Sequence, residues 1–214
     1  NYEKVYISEE DIQEAIDEVM IGRKKRERIL TKEEKKRVSY HEAGHAIMGF
    51  LLKDASPPIK VSIIPRGSNA LGFSQPKPED RHLYTDNRIL SKISVLLGGR
   101  CAEMLIYDDL STGAHDDIEK ISSLINNYCG RWGMHNQIGA INISYFQPGN
   151  TEYILEESQE IVNQIEVFTF DTLSKYKKYV EKVGKYLYKY ETLSYSKLCR
   201  LIPKKLENSI SEII

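Results

Sequence analysis

The sequence predicts a mainly α-helical protein with one small β-sheet, of the α+β class. Two observations carry this. Apolar residues recur at three- and four-residue spacing through most of the chain, the mark of helices buried on one face. Only short runs rich in β-branched residues interrupt them, each bounded by Pro or Gly, and no internal repeat is present. The picture is an active-site helix, a short β-hairpin beside it and a C-terminal helical bundle.

The elements follow in order. Residues 8–20 read as a short helix capped by Ser8, with Ile12, Ala15, Ile16 and Val19 as its apolar stripe. Gly22 and the basic run Arg23-Lys24-Lys25-Arg26 break it. Thr31 with Glu34 forms a capping box that opens the next helix, which runs to about Leu52 before Pro57-Pro58. Lys60–Ile64 reads as a strand, Pro65-Arg66-Gly67 as a turn, and Ala70–Gln75 as a second strand stopped by Pro76. Asp86 caps a helix that reaches about Tyr107. Ser111-Thr112-Gly113 leads into another helix that stops near residues 130–133, and Ile138–Ile143 suggests one more short strand. Residues 155–190 are helical, as one or two helices, and a last helix lies near Ser194–Ile202.

The 214 residues allow one or two domains, and 41% hydrophobic with 29% charged residues fits a packed core. A net charge of −1 speaks against nucleic acid as the main partner. The basic stretches at 23–26 and 35–37 read as a solvated linker and helix face. Cys101, Cys129 and Cys199 are far apart and odd in number, so they read as buried thiols, with neither a disulfide framework nor a cysteine zinc site. No apolar run approaches membrane-spanning length, so the piece as given reads as soluble. It opens without Met and without a signal peptide, as a fragment of something larger would.

His41-Glu42-Ala43-Gly44-His45 carries the chemistry. On a helix, residues four apart share a face, so both imidazoles can grip one ion while Glu42 reaches a water beside it. In this zinc-hydrolase pattern the metal supplies Lewis acidity and a carboxylate moves the proton. A chance match in a chain of this length is about a one-in-a-hundred event on ordinary residue frequencies. The flanking apolar stripe of Val38, Ala43, Ala46, Ile47, Phe50 and Leu51 also argues for a packed helix, not a solvated one.

A catalytic zinc takes three protein ligands and keeps one position open. Met48 and Leu51 stand where an extended H-E-x-x-H-x-x-G-x-x-H motif needs Gly and His, so the third ligand lies further along. Glu103, His115, Asp116, Asp117, His82 and His135 are candidates. In the helix after Gly113, which buries Ile118, Ile121, Leu124, Ile125 and Tyr128, Asp117 shares a face with Ile121 and Leu124. Asp116 sides with Lys120 and Ser123, and His115 with Glu119 and Ser122. Asp117 is therefore the carboxylate best placed for a buried metal. Glu103 leans inward beside Leu96 and Ile106. A buried Glu needs a partner, and the favoured role is to accept a ligand imidazole N–H and orient that ring, with direct ligation as the alternative.

Taken together, Val38–Ala46, Ala70-Leu71-Gly72, Leu97-Gly98-Gly99-Arg100 with Ala102-Glu103, and Ser111–Asp117 resemble the proteolytic domain of FtsH-type membrane-anchored AAA zinc metalloproteases, in order and spacing, over nearly the whole chain. Leu83-Tyr84-Thr85 and Asp116-Asp117 resemble the mitochondrial matrix-facing branch most. The resemblance implies that residues 1–30 are the end of an AAA lid with its basic linker and 31–214 the protease domain. It implies one Zn2+ held by His41, His45 and Asp117, with Glu42 as the general base. It also implies homo- or hetero-hexameric rings that degrade unfolded or membrane-extracted polypeptides. ATP would act only through an AAA module absent from this chain, which has no G-x-x-x-x-G-K-[ST], and the membrane only through missing N-terminal segments. The expected location of the full-length protein is an organellar membrane, the mitochondrial inner membrane or a plastid. Asp108-Asp109 departs from the pattern of relatives.

A protease of this kind must hold an extended peptide across its metal. The segment Ala70–Gln75 is the candidate edge strand, with Gly72, Phe73 and Ser74 as substrate-binding residues and Gly72 leaving room for a neighbouring backbone. Two other function classes compete. One is a scaffold that keeps the fold without the activity, against which the intact motif residues argue. The other is a module binding RNA or anionic lipid through residues 23–37, against which the near-neutral charge argues.

Overall fold

The computed structural model describes residues 6–22, 30–66, 71–77, 80, 82–145 and 151–213. The run Arg23–Arg26, Gly67 and Ala70 lie outside them. Among the described residues there are seven α-helices and one three-stranded sheet. The elements are α1 (Glu9–Ile21), α2 (Lys32–Leu51), β1 (Pro58–Ser62), β2 (Phe73–Pro76), α3 (Asp86–Tyr107), α4 (His115–Gly130), α5 (Thr151–Lys175), α6 (Lys177–Tyr190), β3 (Thr192–Ser194) and α7 (Tyr195–Leu201). The mainly helical class with a small sheet is as the sequence predicts.

Helix α2 is the axis of the fold. Thr31 accepts from the Glu34 amide and Glu34 reaches back to the Thr31 amide, so the capping box forms. From Ser39 to Leu51 every residue is buried, which is more than the expected stripe. The reason is that α3 and α6 pack on α2 along with the sheet, leaving its second half no solvent face. The tightest approach is between Gly44 and Gly98: a Cβ on Gly44 would sit 2.0 Å from the Gly98 carbonyl oxygen. Side chains of α2, α3, α5 and α6, among them Phe50, Ile93, Ile165, Leu173 and Leu187, form the core.

The sheet is antiparallel in the order β2-β1-β3. Val61 pairs with Ser74 on one side and Leu193 on the other. Among the described residues strand β2 is therefore an edge. Both hairpin strands are displaced from the expected spans: the first starts at Pro58 and the second occupies Phe73–Pro76, leaving Leu71 and Gly72 as its lead-in. Pro76 closes an edge, where a missing N–H costs no ladder bond.

Other boundaries differ for physical reasons. Thr85, not Asp86, takes the N-cap position of α3; Asp86 lies in the first turn, where its charge suits the helix dipole. The segment 138–143 forms no strand but a turn followed by a short 3₁₀ stretch from Ile143. Residues 192–194, next to the expected start of the last helix near Ser194, add β3 to β1, because Glu191 adopts a left-handed φ of 63° and turns the chain back. In α1 the expected stripe is exposed, Val19 at 84%. Ile118, expected inside, is 45% exposed. Cys101 and Cys129 are buried free thiols, whereas Cys199 is only partly buried.

Candidate metal centre

Three helices meet at the site. Helix α2 presents His41 and His45 one turn apart, α3 supplies Glu103, and the first turn of α4 supplies Asp117. Asp117 Oδ2 lies 3.2 Å from His41 Nε2 and 3.2 Å from His45 Nε2. The ligand atoms of the three residues fall within 4.8 Å of one another. Gly99 of α3 faces this point: a Cβ there would lie 2.4 Å from His41 Nε2 and 2.6 Å from His45 Nε2. The absence of that carbon is what keeps the space between the ligand atoms open.

Hydrogen bonding fixes both tautomers. His45 Nδ1 is 2.8 Å from the Val95 carbonyl, which only accepts, so Nδ1 carries the proton. His41 Nδ1 is 2.8 Å from Glu103 Oε1 and donates likewise. Each neutral ring then turns an Nε2 lone pair toward the Asp117 carboxylate. Two lone pairs and an anion at 3.2 Å repel unless a cation lies among them. The donor set, two imidazole nitrogens and one carboxylate, is that of catalytic zinc with one position left open. The residues present fit the metal.

Burial opposes a charge on His41, but hydrogen bonds to Asp117 and Glu103, with the nearby Glu42 and Asp117 charges, raise its pKa to about 10. Burial also opposes ionisation of Asp117, yet the His45 charge and bonds from both rings hold its carboxyl well below the usual range. Glu103 is opposed by burial and then lowered by bonds from His41, the Ser111 amide and Arg37. Glu42 is different. Burial pushes its pKa up, only partly countered by His45 and His41, and its Oε2 is a buried atom without a hydrogen-bond partner. A carboxylate placed so is primed to take a proton.

The site opens into a cleft of about 1000 Å³ lined by Glu42, Gly72, Phe73, Ser74, Leu96 and Lys120 among others. Edge strand β2 forms part of its wall. The expected residues His41, His45, Asp117, Glu42 and Glu103 thus converge, and Gly72–Ser74 border the same space. The remaining ligand candidates do not join them. His82 is exposed, and His135 is buried against Glu157 at 3.4 Å. His115, Asp116 and Glu119 form a separate, more exposed group whose ligand atoms also lie within 4.8 Å.

Three participants were not legible in the sequence. The Val95 carbonyl and Ser111 amide are backbone groups and leave no residue signature. Arg37 reads as part of a solvated basic face, but it turns inward to Glu103 at 3.0 Å. Its spacing from His41, one helical turn, is the signal that could have found it.

The sequence model of Peptidase family M41 matches residues 28–201. An ATP-dependent zinc metalloprotease FtsH of Rhodothermus marinus is 37% identical over 76% of this chain and 25% of its own length. The mitochondrial inner membrane m-AAA protease component YTA10 of Saccharomyces cerevisiae is 35% identical over 92% of this chain and 27% of its own. The corresponding component AFG3L1 of Mus musculus is 33% identical over 92% and 26%. The chain spans about a quarter of the length of these relatives. The family model spans the helices that carry His41, His45 and Asp117, and the chain belongs to Peptidase family M41.

Proposed function

We propose that this chain is the proteolytic part of a larger ATP-dependent protease and cuts peptide bonds of unfolded or membrane-extracted polypeptides. The observation that carries the reading is the pair of Nε2 lone pairs aimed at Asp117 beside an unpartnered Glu42 oxygen. His41, His45 and Asp117 hold zinc. When bound, zinc supplies the Lewis acidity that makes water acidic enough to lose a proton near neutral pH. Glu42 takes that proton at Oε2 and hands it to the departing amine. Glu103 and the Val95 carbonyl hold the two rings in the tautomer that frees Nε2.

An extended substrate adds to the free edge of β2, with Gly72, Phe73 and Ser74 along its path. Pairing through main-chain groups accepts many sequences, which suits a protease of unfolded chains. Residues 31–214 form the protease domain, and residues 1–30 the end of an AAA lid with its linker. The parent protein assembles as a homo- or hetero-hexamer, supported by the naming of two relatives as m-AAA protease components. Those relatives also support the mitochondrial inner membrane as its location. Among the described residues no helix is long and apolar enough to cross a membrane.

The test is metal analysis of the purified chain with a casein-type cleavage assay. One zinc per chain is expected, retained in Glu42→Gln while cleavage falls about 100-fold or more. Near-normal turnover in that variant removes Glu42 from the mechanism. Stoichiometric zinc in Asp117→Ala removes Asp117 from the ligand set.

A further inference from the structure

Arg37 sits on α2 one turn before His41. Its Nη1 donates to Glu103 Oε2 at 3.0 Å and its Nη2 to Asp109 Oδ2 at 3.0 Å. Nη1 also reaches the Asp109 carbonyl at 3.3 Å, and the guanidinium carbon lies 4.7 Å from the Tyr107 ring centroid. Glu103 Oε2 receives the Ser111 amide at 3.0 Å as well, while Oε1 holds His41 Nδ1.

The charge argument is direct. Glu103 is a carboxylate with 2% of its side chain exposed, and such a group needs a compensating charge. A His41 that binds metal through Nε2 is a neutral imidazole, so its hydrogen bond brings none. Arg37 carries a permanent positive charge, and its planar fork places one nitrogen on each of two carboxylates. An ordinary surface ion pair is the competing description. It suits the Asp109 arm, whose side chain is 67% exposed, but not the arm that ends on Glu103. Asp109 lies in the link from α3 to the turn that starts α4. One guanidinium therefore ties together the three segments that deliver His41, Glu103 and Asp117.

We propose that Arg37 is a positioning residue for the metal centre, its guanidinium bridging Glu103 and Asp109 so that the His41 ring and the Asp117-bearing segment keep their mutual geometry. The inference rests on the metal-site reading above and extends it to a residue pair outside the H-E-x-x-H motif.

Zinc competition against a chromophoric chelator, on the full chain, tests it. Arg37→Met should weaken zinc binding about 10- to 100-fold and lower kcat with little change in KM. Arg37→Lys restores the charge at Glu103 without the arm to Asp109, so it should recover part of the lost affinity. Asp109→Asn, which keeps the Glu103 arm, should weaken zinc by a smaller factor. Native affinity in Arg37→Met, or no recovery in Arg37→Lys, overturns the proposal. If Arg37→Met does not fold, native affinity in Asp109→Asn overturns it instead. The native chain and His45→Ala separate the two levels. A native chain without zinc sinks the metal site itself, whereas zinc lost in His45→Ala but untouched in Arg37→Met sinks only the role of Arg37.

Discussion

Gly72 lies against the Glu42 carboxylate: a Cβ at this position would stand 2.6 Å from Glu42 Oε1 and 2.9 Å from the Ser62 carbonyl oxygen. The room that this glycine leaves is thus taken by the chain itself. Any side chain there must push Glu42 out of place.

Gly72→Val should therefore act on turnover more than on binding. If Glu42 moves the proton as proposed, displacing it by about 1 Å costs on the order of 100-fold in rate. Zinc content should stay at the native value, since none of the three ligand residues is touched. Steady-state kinetics on a peptide substrate checks this. A rise in KM alone would place the effect of Gly72 on substrate and not on Glu42.

Gly99→Ala should empty the metal centre. Its methyl would lie within 2.6 Å of both Nε2 atoms, in the space a metal would occupy. The fold should survive, because alanine favours a helix interior over glycine by about 1 kcal/mol. Zinc stoichiometry should fall to near zero while the far-ultraviolet circular dichroism of the variant stays native. A full complement of zinc in Gly99→Ala would contradict the assigned ligand atoms.

Gly44→Ala tests the axis of the fold. The added carbon would meet backbone, the Gly98 carbonyl at 2.0 Å, and backbone cannot step aside as a flexible side chain does. Forcing α2 and α3 apart should lower unfolding free energy by at least about 2 kcal/mol. Urea denaturation of the metal-free protein measures it. An unchanged midpoint would mean that the two helices are not locked at this contact.

Cys101 offers a pH test away from the metal. Burial, with the Glu166 charge adding and Arg100 opposing, pushes its thiol from 9.0 up to about 12. The folded value is raised, so its contribution to stability is complete below pH 9 and is lost as pH climbs toward 12. Near pH 8 the folded protein should alkylate at Cys101 about 1000-fold more slowly than the urea-unfolded chain. Mass spectrometry after timed iodoacetamide treatment reads this, and equal rates would refute the burial argument.

The helices and the convergence of His41, His45 and Asp117 were legible because both depend on periodicity. His41 and His45 are one turn apart, and Asp117 keeps the face of Ile121, so the helical repeat alone aims all three inward. The same logic failed for Ile118, which is exposed on α4, and for the α1 stripe. Strand β3 was hidden because Thr192-Leu193-Ser194 is too short to show alternation, and its pairing with β1 is decided far away in the sequence. Arg37 was hidden because a basic run reads as solvated until one knows which member faces Glu103.

The pairing of β3 with β1 also sets an order of events. Strand β1 leaves the ribosome early, but its second neighbour, residues 192–194, is made only after α3 to α6. Contacts so distant in sequence form late in folding. Until then β1 has an unpaired side as open to foreign strands as the edge of β2. The sheet that borders the cleft is complete only once the helical body has been synthesised, so a half-made chain has no finished groove in which to grip a neighbour. A chain cut short before Thr192 should gain stray strand pairing in its place, and aggregate.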